Sequence, residues 1–182
     1  SLLPTPPVFK IFFPKNLLII LTFLHYNISK MESYKNPYIL GFYGQSGIGK
    51  TYVLRQIVAQ LKGEGFKVAV IKISDKAISI DTEGKDTYLY GEAGADMVVF
   101  SSASESAFLV KRSLPTHSIV DQLTRFDTYD FIFIEGAMEA WIPKIRLGDI
   151  ARRENTLKTY DGNYDVLIRT IRERSLKGEA NE

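Results

Sequence analysis

The chain has no cysteine and only two histidines in 182 residues. Without cysteine there is no disulfide frame, thiol nucleophile or thiolate metal site, which fits a reducing compartment such as the cytoplasm. His25 and His117 give little basis for a histidine metal site and read as ordinary surface or partly buried residues. A dominant charge is missing too. Residues 1–30 hold Lys10, Lys15 and Lys30 and no acid, and the other 20 basic residues face 21 acids. The body of the chain is therefore not a basic nucleic-acid binder. Nor is there a comfortable membrane span. The apolar run from Leu17 to Leu24 is too short, and Pro14 and Lys15 cut it off from earlier apolar residues. No small-residue cleavage site follows it. Residues 1–30 read as an upstream or non-native extension, with Met31 the expected start of the nucleotide-binding domain, 31–182.

What is present is a glycine-rich stretch, Gly44-Gln45-Ser46-Gly47-Ile48-Gly49-Lys50-Thr51. It fits G-x-x-x-x-G-K-[ST] and stands between an apolar run, Tyr38 to Tyr43, and a helical pattern of Val53, Leu54, Ile57, Val58 and Leu61. Strand, loop and helix together make a P-loop. Its backbone N–H groups and helix N-terminus favour phosphate. Lys50 would reach the β- and γ-phosphates and the Thr51 hydroxyl would bind Mg²⁺.

Further apolar runs at 66–73, 96–100, 107–110, 131–134 and 144–147 predict strands. Ile119, Val120, Leu123 and Phe126 mark one helix face. Tyr164, Leu167, Ile168 and Ile171 mark another at i, i+3, i+4, i+7. The alternation predicts an α/β three-layer sandwich with a mostly parallel sheet and helices on both faces. Residues 148–161 are polar and offer no clear strand.

In such a sheet, ligands bind at the carboxyl ends of the strands. Glu135 directly follows four apolar strand residues, so its carboxylate is expected near Thr51. There it would hold Mg²⁺ through water or orient an attacking water, making Lys50 and Glu135 the catalytic candidates. Asp81, Lys85 and Asp86 lie in the loop after the second strand. By residue type alone they are a solvated charge cluster. Asp81 is also a candidate for Mg²⁺ or substrate, and Lys85 for phosphate.

These pieces resemble the molybdopterin-guanine dinucleotide biosynthesis protein B (MobB) family. The resemblance rests on the P-loop, on Ile80-Asp81-Thr82-Glu83-Gly84-Lys85-Asp86-Thr87 and on Glu92-Ala93-Gly94-Ala95. It continues through the strand 98–102, Phe131 to Gly136 and Ile142-Pro143-Lys144-Ile145, covering roughly residues 38–147. It implies a homodimeric, weakly hydrolysing GTP-binding protein. Such a protein assists the guanylyltransferase that joins GMP to molybdopterin, as an adaptor for nucleotide or cofactor. The resemblance also makes Asp81, Lys85 and Asp86 functional candidates. Two departures stand out. Lys72-Ile73-Ser74-Asp75-Lys76 lacks the histidines usual after the second strand, and no further strand ending in Asp is evident before the last helix. An Asn-Lys-x-Asp guanine-reading element is absent as well, so the sequence alone does not separate GTP from ATP.

Two other functions compete. One is an ATP-dependent small-molecule kinase, with Asp81 or Glu135 as base, Lys85 or Arg112 on the acceptor and Arg152-Arg153 as a lid. A solvated pair is the plainer account of those two arginines. The other is a non-catalytic adaptor whose 74–86 loop is ordered by nucleotide.

Overall fold

The computed structural model describes residues 36–176, so the expectations for residues 1–30 lie outside the described residues. The chain runs β1 (Tyr38–Gly44), α1 (Lys50–Gly63), β2 (Val68–Lys72), α2 (Asp86–Glu92), β3 (Met97–Ser101), β4 (Ser106–Val110), α3 (Thr116–Phe126), β5 (Phe131–Glu135), β6 (Lys144–Leu147), β7 (Thr156–Tyr160) and α4 (Tyr164–Leu176).

Five strands form one parallel sheet in the order β2-β5-β1-β6-β7. Its central strands are apolar on both sides because both sides are covered. Leu40, Phe42, Phe131 and Phe133 pack on Val53, Leu54, Ile57 and Leu61 of α1 and on Leu167, Ile168 and Ile171 of α4. On the opposite face, Ile39, Ile71, Ile132 and Ile134 meet Val120, Ile119 and Leu123 of α3. The expected three-layer sandwich is the fold observed.

Two elements differ from the sequence reading. The strand at 97–101 does not join the main sheet but pairs antiparallel with β4. The cause is the four-residue connection, closed by Ser102 N–H donating to the Glu105 carbonyl. A parallel neighbour would need a crossover of a dozen or more residues. The polar stretch 148–161, for which no strand was expected, contains β7, paired parallel to β6. Thr156 is buried, and Leu157 and Tyr160 pack on the core from the sheet edge. An irregularity at Lys144/Ile145 leaves Leu157 without a register partner. That breaks the alternation by which a half-buried strand is read.

Candidate functional site

At Gly44 the chain leaves β1 and turns through residues 45–49. Gly49, at φ 96°, takes the left-handed conformation that opens α1 at Lys50. No side chain caps this helix N-terminus, and its first turn carries no acid. The electrostatics there favour an anion. Lys50 Nζ folds over the loop and donates to the Gly44 carbonyl at 2.8 Å and the Gln45 carbonyl at 2.6 Å. The P-loop therefore already gathers the positive charge that a phosphate would take over.

Glu135 meets Thr51 as expected. The Thr51 hydroxyl lies 3.0 and 3.1 Å from the two carboxylate oxygens. The sheet fixes this meeting. Glu135 ends β5, opposite Phe42 of β1 on one side and Lys72 of β2 on the other. The next residue, Gly136, turns at φ 89°, and a Cβ there would come within 2.5 Å of the Ile73 carbonyl. Only glycine lets the chain leave at this point without moving β2. Glu135 is buried. Lys72, its cross-strand neighbour, supplies an opposite charge on the same sheet face. Among the described residues, no three acidic, histidine or cysteine side chains converge on a metal position. Thr51 and Glu135 are the oxygen donors that could hold a divalent cation beside this P-loop.

Other predicted site residues sit elsewhere. The Asp81 carboxylate accepts from the Thr87 hydroxyl at 2.7 Å and from Lys111 Nζ at 2.9 Å. The Lys111 bond first, then the Thr87 bond, hold its carboxyl below the usual value. Lys85 stands at the N-cap position of α2 and Asp86 in its first turn, where an acid is favourable. None of these three lines the cleft beside the P-loop.

That cleft, about 510 Å³, is bounded by Tyr43, Gly44, Ser46, Lys50, the segment 72–76, Ile78, Glu135, Gly136, Met138 and Arg153. Sequence reading gave no role to Lys72 or Tyr43 and took Arg153 for a solvated charge or a lid. The guanidinium of Arg153 instead lies over the Tyr43 ring, 4.8 Å from its centroid, and donates to the Ala137 carbonyl at 2.7 Å. Its backbone is held by a closed ring of hydrogen bonds. Arg153 N–H donates to the Tyr43 hydroxyl at 3.0 Å, which bonds the Thr156 hydroxyl at 2.7 Å, which donates back to the Arg153 carbonyl. Beneath it Lys144 is fully buried, its ammonium donating to the carbonyls of Ile142 and Glu154, each at 2.7 Å. Burial first, then the charge of Arg153, push the Lys144 pKa down.

The family described as molybdopterin guanine dinucleotide synthesis protein B matches residues 39–169. The chain is 33% identical over 111 residues to the molybdopterin-guanine dinucleotide biosynthesis adapter protein of Haemophilus influenzae, covering 60% of this chain and 62% of that protein. It is 30% identical over 150 residues to a putative adapter protein of the same description from Methanocaldococcus jannaschii, covering 76% and 62%. The chain thus spans less than two thirds of the length of these curated relatives. The crystal structure of Bacillus subtilis MobB shares the fold, with a TM-score of 0.61 at 18% identity, over 75% of this chain and 97% of that one.

Proposed function

This chain belongs to the molybdopterin guanine dinucleotide synthesis protein B family, and we propose that it is a GTP-binding, weakly GTP-hydrolysing adapter in molybdenum cofactor biosynthesis. The observation that carries the reading is the Thr51 hydroxyl seated on the Glu135 carboxylate beside Lys50. Backbone N–H groups of 44–51 take the phosphates, and Lys50 bridges the β- and γ-positions. Thr51 would hold Mg²⁺, and Glu135 would reach it through water or orient the attacking water. Asp81, Lys85 and Asp86 enter this reading only through movement of the 74–86 loop, since Asp81 is engaged by Lys111.

The base is expected over the ends of β6 and β7. Tyr160 stands opposite Leu147, and Leu147 opposite Gly44, two inter-strand spacings or about 10 Å in all. The residue after β7 is Asp161. Its carboxyl is held below the usual value, chiefly by the Asn163 backbone N–H, so it is ionised at neutral pH. A carboxylate there suits guanine, whose N1–H and amino group donate, over adenine, whose N1 accepts. It is the acid at a strand end that sequence reading did not find. The names of the curated relatives support an adapter role, and the family resemblance suggests a molybdopterin guanylyltransferase as partner and a homodimer.

Calorimetric titration with GTP and ATP in Mg²⁺ tests this, beside a Lys50→Ala control. GTP is expected to bind more tightly than ATP and to be lost in the control. Preference for ATP would move the assignment to a kinase, and binding of neither would overturn it.

A further inference from the structure

Lys72 is a cleft cation to which the nucleotide reading gives no task. It ends β2, in register with Glu135 of β5, one inter-strand spacing or about 4.8 Å away. Side chains at registered positions leave a parallel sheet on the same face. Glu135 leaves toward α1, because it meets Thr51 there. Val70, two residues before Lys72, lines the flank of α1 with both of them. Lys72 therefore projects from the same face, and it lines the cleft together with Lys50, Gly44, Ser46 and Glu135. Its backbone is fixed. Ile73 N–H donates to the Glu135 carbonyl at 2.9 Å, and the close approach of Gly136 to Ile73 pins the two strand ends together. The Lys50 ammonium is taken up by two carbonyls, whereas that of Lys72 makes no hydrogen bond or ion pair among the described residues.

Across the strand ends the order is thus Lys50 beside β1, the Thr51–Glu135 pair at the end of β5, and Lys72 on β2. A γ-phosphoryl group held at Lys50 and Thr51 would have a cation on either side. In hydrolysis the water oxygen bonds to the γ-phosphorus. The bond to the β–γ bridging oxygen breaks, its electron pair goes to GDP, and the water proton ends on the released phosphate. During the transfer, negative charge is spread over three equatorial oxygens. We propose that the Lys72 ammonium binds these oxygens in the transition state, as a neutralising charge supplied in cis from β2. The inference rests on the nucleotide reading above. Lys72 is exposed, so its charge stays solvated in the empty cleft and makes this contact only when phosphate arrives. An ammonium on a flexible four-carbon stem is a point charge, where an arginine would present a preorganised fork. The weak hydrolysis proposed above fits such a group.

The test is calorimetric titration of the full chain with GDP and Mg²⁺, with and without aluminium fluoride, which joins GDP to imitate the transferring γ-phosphoryl group. Aluminium fluoride is expected to tighten GDP binding to the parent chain. In Lys72→Met the affinity for GDP alone should stay within about twofold, which also shows that the variant folds. The gain from aluminium fluoride should fall at least about tenfold, and phosphate release from GTP by a similar factor. Lys72→Gln, which stays polar, should repeat the loss even if the methionine variant folds poorly. Lys62→Met removes the same charge from the last turn of α1 and should leave the gain within about twofold. An equal gain in the parent and both Lys72 variants, its absence from all three included, would overturn the proposal, as would an equal loss in Lys62→Met. Those results would leave the nucleotide reading standing, because GDP still binds. A parent chain that binds neither GDP nor GTP would overturn both.

Discussion

Glu135 and Arg153 are both cleft residues, yet only the first was legible in the sequence as a site. Glu135 ends a run of four apolar residues, and a strand end in a parallel sheet has one possible neighbourhood. Arg153 lies in an irregular connection, and what fixes it is Tyr43, on a strand 110 positions earlier. Nothing local announces that contact. Asp81 shows the reverse case. A distinctive motif marked it, but its present partner, Lys111, comes from the end of β4. At this scale the decisive variant is Glu135→Gln, which keeps shape and hydrogen-bonding capacity and removes the charge. Mg²⁺-dependent phosphate release from GTP is expected to fall about 10²–10³-fold, with GTP binding retained. Turnover equal to that of the parent chain would remove Glu135 from the mechanism.

Among elements, the legible ones were those with strong periodicity or continuous apolar character: α1, α4, β1 and β5. β7 was hidden because it is an edge strand with Lys158 in the middle and an irregular register. β3 was misplaced because an apolar run reports that a strand exists, not which strand it pairs with. α4 illustrates how a helix that closes the core is secured. Asn163 Oδ1 accepts from the Val166 N–H at 3.1 Å at the helix start. Across to α1, the Tyr164 hydroxyl donates to Gln60 at 2.8 Å, and Arg172 pairs with Glu64. Asn163→Ala removes the cap and is expected to cost about 1 kcal/mol, read as a lower urea midpoint with an unchanged slope. A change below the error of the measurement would show that the packing of Leu167, Ile168 and Ile171 alone sets this end.

For the molecule as a whole, the buried ammonium of Lys144 has a consequence that shows in its pH dependence. Its folded-state pKa lies below the unfolded value near 10.5. As pH rises through the folded value toward 10.5, the folded chain has released this proton and the unfolded chain has not. Stability from this group therefore increases across that alkaline window. Lys67, raised chiefly by its hydrogen bond to Asp127, works oppositely, its contribution being lost as pH rises through its folded value. It does so equally in a Lys144→Met variant and cancels in the comparison. Denaturation from pH 7 to 10.5 should show the parent chain gaining on the variant as pH rises, and parallel curves would contradict this. The order β2-β5-β1-β6-β7 also decides when each strand can pair as the chain is made. β1 is the middle strand, yet both of its neighbours, β5 and β6, are made after residue 130. At ordinary synthesis rates it waits on the order of 5–20 s with both edges bare. The strand that carries the P-loop thus cannot be paired on either edge until most of the described chain has been made.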